Sequence, residues 1–122
     1  NVTKTSTAFR AFHNESDTTA NLNYDTGGDL AQSTGEQFIS PSVGNENDES
    51  TSGTLQLFNP SSTTFVKHFL SSINHMRIGV NGVSQNAFTA GYMNTTSAVD
   101  AIQFKYSSGN IDSGEIILFG VS

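Results

Sequence analysis

The stretch at residues 74–93 reads NHMRIGVNGVSQNAFTAGYM, and its pattern is that of two β-strands joined by a tight turn. Apolar side chains occupy alternate positions in residues 76–80 and again in residues 88–92. Strict alternation indicates strands that turn one face towards a core. The Asn81–Gly82 pair between the two halves is a strong turn signal. The stretch therefore predicts an antiparallel β protein.

The same alternation recurs along the chain, in segments bounded by Gly, Asn, Asp or Pro. These segments are residues 7–13, 22–24, 38–39, 53–58, 100–106 and 114–121. About eight short strands at intervals of about 12 residues are typical of an all-β, antiparallel, two-sheet β-sandwich that is jelly-roll-like. Segment 114–121 is apolar on both faces, so we expect it to lie centrally in a sheet.

Residues 63–72 fit either a strand or a helix. The apolar residues Phe65, Val66, Phe69 and Leu70 have helical spacing. However, the run from Thr63 to Val66 is a poor helix former and a good strand former. We expect a strand here.

The parity of the alternating residues predicts which side chains form the core. We expect the following to be mostly buried: Phe9, Leu22, Leu55, Leu57, Phe65, Phe69, Met76, Ile78, Phe88, Ile102, Phe104, Ile116 and Leu118. The polar, acidic stretch 40–53 is expected to be a surface loop.

Composition limits the organisation and the partners of the chain. Its 122 residues suit one β-sandwich domain, residues 1–122, with residues 1–5 as an extended N-terminal arm. Eleven acidic and five scattered basic residues give a net charge of −6. This argues against nucleic acid as a partner, because such a surface needs clustered Lys and Arg. No apolar run is long enough to span a bilayer, and we expect no membrane partner.

Catalytic and metal-binding patterns are weak in this sequence. There is no Cys, and no Gly-x-Ser-x-Gly motif marks a serine nucleophile. The carboxylates of residues 25–29 and 46–49 lie in turns and do not fit a twelve-residue calcium loop. The three histidines, His13, His68 and His75, are interpreted as ordinary strand residues. We therefore expect a protein that is not an enzyme, with no catalytic, cofactor-binding or metal-binding residues and no cofactor.

Three segments of the C-terminal half carry a resemblance to a known family. Residues 59–67 read NPSSTTFVK, residues 98–104 read AVDAIQF, and residues 107–121 read SSGNIDSGEIILFGV. The last segment resembles the closing "sGNIasGtI-LYGI" of a β-sandwich domain that recurs at the C-terminal ends of tailed-bacteriophage structural proteins. Phe119 stands where that family usually has Tyr. Residues 22–26 are similar to its "lrfNgDtg" segment, and the resemblance covers about residues 8–122.

The resemblance implies a non-enzymatic virion structural protein on the particle surface, with no catalytic residues to transfer. A capsid decoration or cement protein fits best, and its partners would be the major capsid protein or tail proteins. One alternative is the glycan-binding tip of a tail fibre, whose partner would be a host surface glycan. Another is a small secreted carbohydrate-binding module.

The edges of the expected sandwich indicate self-association. Exposed edge strands are normally guarded by Lys, Pro or bulges, and this chain has few Lys and two Pro. A closed ring would cover the edges, and the threefold positions of phage particles favour a homotrimer. Apolar residues left outside the core are candidates for burial beneath loops or neighbouring subunits: Phe12, Phe38, Phe58, Ile117 and Phe119.

Overall fold

The structure is a computed structural model that describes residues 1–77 and 82–121, and the described chain is all-β. It contains one antiparallel sheet of five strands and no helix. The strands are β1 (Lys4–Asn14), β2 (Ala20–Tyr24), β3 (Thr51–Leu57), β4 (Lys67–Met76) and β5 (Val83–Met93). Their order in the sheet is β2-β1-β5-β4-β3.

Strand β5 is the centre of the sheet. It pairs with β1 from Lys4↔Met93 to Asn14↔Val83, and with β4 from Lys67↔Met93 to Met76↔Ser84. The turn before β5 contains Gly82, whose φ of 51° is a conformation that glycine adopts without steric cost. The predicted turn residue Asn81 and the strand positions Ile78 and Val80 lie outside the described residues.

A long connection covers one face of the sheet. Strands β2 and β3 follow each other in sequence but lie at opposite edges, so residues 25–50 must cross the sheet between them. Several hydrogen bonds fasten this crossing segment to the strands, and three of them involve side chains of β1 and β5 on this face. They join Leu30 N to Ser6 Oγ (3.0 Å), Gln85 Nε2 to the Pro41 carbonyl (3.2 Å), and Thr89 Oγ1 to the Phe38 carbonyl (3.4 Å). We call this side the covered face.

The predicted core is largely wrong, because the covered face carries small and polar side chains. Its buried residues are Ser6, Ala8, Lys67, Phe69, Ser71, His75, Val83, Gln85, Ala87 and Thr89. Of the predicted core residues, Phe69 is buried, and Leu55, Leu57, Met76, Phe88 and Phe104 are half-buried. Exposed instead are Phe9, Leu22, Phe65, Ile102, Ile116 and Leu118, while Ile78 lies outside the described residues. Most of these apolar residues lie on the opposite face or beyond the sheet.

Several strand predictions are confirmed and others are wrong. Strands β1, β2, β3 and β5 lie where alternation predicted them. Residues 67–72 are strand and not helix, and they continue into residues 73–76 as the single strand β4. The segments 38–39, 100–106 and 114–121 form no strand, since alternation without a paired neighbour does not make a sheet. A two-sheet sandwich of about eight strands is accordingly not confirmed, and the central strand is β5.

Candidate assembly interface

The face of the sheet opposite the crossing segment is open to solvent and apolar. Its large side chains are Leu22 and Tyr24 on β2, Phe9 on β1, Phe88 on β5 and Leu70 on β4. Phe9 is 44% exposed and Leu70 48% exposed, and Phe88 is half-buried. Among the described residues, no Asp, Glu, Lys or Arg belongs to the strand positions on this face. We call it the open face.

A row of aromatic residues crosses the middle of the open face. Phe9 is the register partner of both Tyr24 and Phe88, so the three side chains lie side by side on adjacent strands. The rings of Phe9 and Phe88 are stacked, with centroids 4.7 Å apart and planes inclined by 14°. Beside them is a shallow groove of about 310 Å³ lined by Thr54, Gln56, Leu70 and Ala90. The groove can receive apolar side chains and offers hydrogen-bonding groups at its rim.

Polar residues border this apolar row. The Asn86 side-chain amide donates to Ser72 Oγ, and that of Asn74 donates to Ser84 Oγ, each at 3.1 Å. At the β2 edge, the Tyr24 hydroxyl donates to Asp29 Oδ2 at 2.7 Å, and this bond to a carboxylate raises the pKa of Tyr24. These hydrogen bonds hold the polar groups in place, so the face presents ordered polarity around the apolar row.

The exit of the chain from the sheet is fixed by a buried cation. Lys67 is 0% exposed, and its Nζ donates to the carbonyls of Thr95 (3.1 Å) and Ser97 (2.7 Å). The backbone N–H of Asn94 also donates a hydrogen bond to the Thr3 carbonyl at 2.8 Å. A buried ammonium is tolerated when its protons are hydrogen-bonded, so Lys67 pins residues 94–97 against the start of β4.

Residues 98–121 leave this anchor without forming a strand or a helix, and they pack on little of the described chain beyond a hydrogen bond from the Val99 N–H to the Pro60 carbonyl at 2.8 Å. Lys105 forms an ion pair with Glu36 of the crossing segment. Beyond that pair the apolar side chains are exposed, with Leu118 at 88% and Val121 at 95%. No atom except those of the adjoining residues lies within 4 Å of the place where a Cβ on Gly120 would stand. An apolar segment in this state lacks the burial that its composition favours.

A buried polar cluster on the covered face superficially resembles a catalytic pair. Ser40 Oγ lies 3.0 Å from His75 Nδ1, and Gln85 Nε2 lies 3.1 Å from His75 Nε2. The amide of Gln85 also donates to the Pro41 carbonyl, so its nitrogen faces His75 Nε2, which must accept. His75 Nδ1 then carries the proton and donates to Ser40, the reverse of what a general base needs. The cluster holds the crossing segment on the sheet.

The sequence did not predict that Ser40 and His75 would meet, since 35 positions separate them. The other candidate residues form local pairs. His13 contacts Asp17 at 3.0 Å on the surface, and Arg10 lies 3.5 Å from Asp25. Glu49 accepts a hydrogen bond from the Glu46 amide within their loop. In residues 1–77 and 82–121, no group of three or more His, Asp or Glu side chains is arranged to hold a metal ion.

Burial lowers the pKa of His75 below its usual 6.5; the Pro41 carbonyl opposes this shift, and the charge of Arg77 adds a smaller lowering. The unfolded chain therefore binds a proton more readily at this position. The stability contributed by neutral His75 is fully present above pH 6.5 and is lost as the pH falls towards the folded pKa.

We therefore expect the melting temperature to fall between about pH 7.5 and about pH 5.5. His75→Gln should flatten this part of the curve. His68→Gln is the matched control, because His68 is exposed on the other face and its replacement should leave the fall in place. Equal curves for His75→Gln and the parent protein would contradict this account of the cluster.

Comparisons with known proteins add no relative. No family model matches the chain, and no curated protein or solved structure matches it either. No helix in the described residues is long and apolar enough to cross a membrane. The proposed function therefore rests on the open face and on the C-terminal segment, residues 98–121.

Proposed function

We propose that this protein is a non-enzymatic structural protein on the surface of a bacteriophage particle, where it acts as a capsid decoration or cement protein. The observation that carries the proposal is the open face, where the row of Leu22, Tyr24, Phe9 and Leu70 stays exposed in the single chain. Contiguous exposed apolar patches mark surfaces that bind a partner. The resemblance of residues 107–121 to the ends of phage structural proteins supports the same assignment.

The working form is a homotrimer. The edge strands are β2, with sequence ANLNY, and β3, with sequence TSGTLQL. Neither contains a charged residue or a Pro that would prevent pairing with another strand. In a closed ring, neighbouring subunits cover such edges and the open face. Assembly then completes a two-sheet, jelly-roll-like sandwich of about eight strands, because residues 98–121 gain strand partners that the single chain does not provide. The outer surface of the trimer meets the major capsid protein or tail proteins.

A glycan-binding fibre tip is the second candidate, and one observation favours it. Phe9 and Tyr24 expose aromatic surface on the same face as the amides of Gln56 and Asn86, and sugars bind to such combinations of flat rings and hydrogen-bonding groups. In this alternative the open face binds a host glycan and not another subunit. Phe9→Ala would then abolish binding to a glycan array. In any oligomer, the open face would not be covered by another subunit.

Two measurements test the proposal. Sedimentation of the purified protein at micromolar concentration should show a species of about three times 13.0 kDa, and a single species at 13.0 kDa would contradict the trimer. Imaging of particles from the virus that encodes the chain, with and without the gene, should show density lost from the capsid shell. Loss from the tail tip would favour the glycan-binding alternative, and unchanged particles would overturn both.

A further inference from the structure

We infer that residues 107–121 of one copy lie across the open face of a neighbouring copy, so that the subunits exchange their C-terminal segments. The inference rests on the proposed homo-oligomer but not on its place in a virion. It joins two observations: a sheet face with apolar residues and no cover, and an apolar segment of the same chain with no packing. The occupant of the open face is therefore a second copy of this protein.

The direction of the chain favours a neighbour over the segment's own sheet. Lys67 fixes residues 94–97 at the end of the sheet where β5 finishes. The ion pair between Lys105 and Glu36 then places residue 105 beside the crossing segment, which lies on the covered face. Residues 107–121 consequently begin on the side of the molecule away from their own open face.

The segment is long enough for exchange. Fully extended, residues 107–121 reach about 50 Å. Residues 114–121 alone extend about 26 Å, whereas the five strands of the open face are about 19 Å wide. The last residues can thus cross a neighbouring sheet completely, while residues 107–113 bridge the gap between subunits.

The chemistry of the segment matches the surface it would cover. Residues 116–121 read IILFGV and contain no charge, and the described strand positions of the open face carry no Asp, Glu, Lys or Arg; their ionisable side chains include those of His13 and His68. Burying the two against each other removes apolar area from water without stripping solvent from an ion. Asp112 and Glu115 lie just before this run, where they remain at the rim.

The segment has apolar side chains on both of its sides, and a closed ring of exchanged segments can bury both. Ile116 and Leu118 point to one side of an extended chain, and Ile117 and Phe119 point to the other. One pair can fill the groove beside Phe88 on the neighbouring sheet. The other pair then faces the interior of the ring, where the segments of further copies lie. A segment buried on one side only would leave half of this apolar surface in water.

Cross-linking tests the exchange directly, since the parent chain has no cysteine. Leu118→Cys and Leu70→Cys chains, one of them carrying a size tag, are co-refolded and treated with a mild oxidant. A covalent heterodimer is expected, because a docked segment brings the two Cβ atoms within disulfide range. The control pairs Leu118→Cys with Thr34→Cys, an exposed position on the crossing segment, and should give several-fold less heterodimer. Equal yields for the two pairs would overturn the inference.

The double variant Leu118→Cys/Leu70→Cys separates exchange from back-folding. Exchange should give covalently linked dimers and trimers. A segment folded onto its own sheet would instead give an internally cross-linked monomer, which would contradict the inference. A second variant avoids cysteine altogether: Leu118→Asp should keep the circular dichroism of the sheet but sediment as a monomer. Ser113→Asp adds the same charge at a polar position of the segment and should leave the oligomer intact.

These outcomes distinguish the two proposals. An oligomer that resists Leu118→Asp and gives no Leu118–Leu70 heterodimer would refute the exchange and leave the proposed homotrimer standing. A parent protein that sediments as a monomer would refute both.

Discussion

Phe69→Ala should lower the free energy of unfolding by about 3–5 kcal/mol, the range measured when a buried phenyl ring is removed from a core. Phe69 is 5% exposed on the covered face, between its register partners Leu57 on β3 and Gly91 on β5. Gly91 has no side chain to move into the vacated space, so the cavity cannot collapse easily. Urea denaturation at a fixed protein concentration measures the loss.

Phe65→Ala is the matched control for Phe69→Ala. The two rings are four positions apart, but Phe65 is 67% exposed in the bend before β4. Its removal should change stability by less than about 0.5 kcal/mol, as is usual for a surface substitution. A loss at Phe65 equal to the loss at Phe69 would show that the start of β4 packs differently from the structure described above.

Gly91→Ala should destabilise the sheet by about 3 kcal/mol, the upper end of the usual cost of overpacking. A Cβ on Gly91 would stand 2.5 Å from the Thr5 carbonyl oxygen and 2.9 Å from Ser6 Cα. These are backbone atoms of β1, and β5 is held on its other side by β4, so neither strand can move away without breaking hydrogen bonds.

Gly27→Ala provides the comparison that isolates this clash. Both substitutions reduce the conformational entropy of the unfolded chain by a similar amount. At Gly27, however, the nearest atom to the added methyl is Asp25 Oδ1 at 3.5 Å, an ordinary contact. Thermal denaturation should therefore show a near-neutral Gly27→Ala and a strongly lowered melting temperature for Gly91→Ala. Similar melting temperatures would indicate that β1 and β5 are further apart than their register implies.

Local pattern was sufficient to predict the strands whose partners lie nearby or whose alternation is long. The segment 86–93 falls within β5, and residues 7–13 fall within β1, because alternating apolar residues bounded by turn formers specify extended backbone. The same rule divided β4 into two predicted strands, since polar Ser71 and Ser72 interrupt its apolar pattern. Those serines are internal to the strand because hydrogen-bonded neighbours on both sides hold it.

Pattern could not predict which face of the sheet would be covered. Large apolar side chains normally point inward, so Phe9 and Leu22 were assigned to the core. The crossing segment instead lies on the face that bears Ser6, Gln85 and Thr89, whose side chains hydrogen-bond to backbone groups of the segment. That choice depends on hydrogen bonds between residues far apart in sequence, which periodicity does not encode.

The same limitation applies to the candidate interface. Alternation in residues 100–106 and 114–121 predicted strands with buried side chains, whereas the structure has no strand there and leaves most of these apolar residues exposed. Exposure of Ile116 and Leu118 in the single chain is the information that only the structure supplies. Because these side chains are exposed, residues 114–121 are not the central strand that we expected, and we propose that assembly buries them.

The pairing of β1 with β5 sets the order in which the protein can fold during synthesis. The strand made first finds its central partner only after residues 83–93 have left the ribosome, several seconds later at about 5–20 residues per second. Until then β1 and β2 form at most a two-stranded hairpin, which is marginally stable in water. Strands β4 and β5 are also joined by a short connection and should pair as soon as both are made, and β1 then adds to the free side of β5. Folding should thus be slow, on the order of milliseconds to seconds, and an N-terminal fragment ending before β5 should not fold.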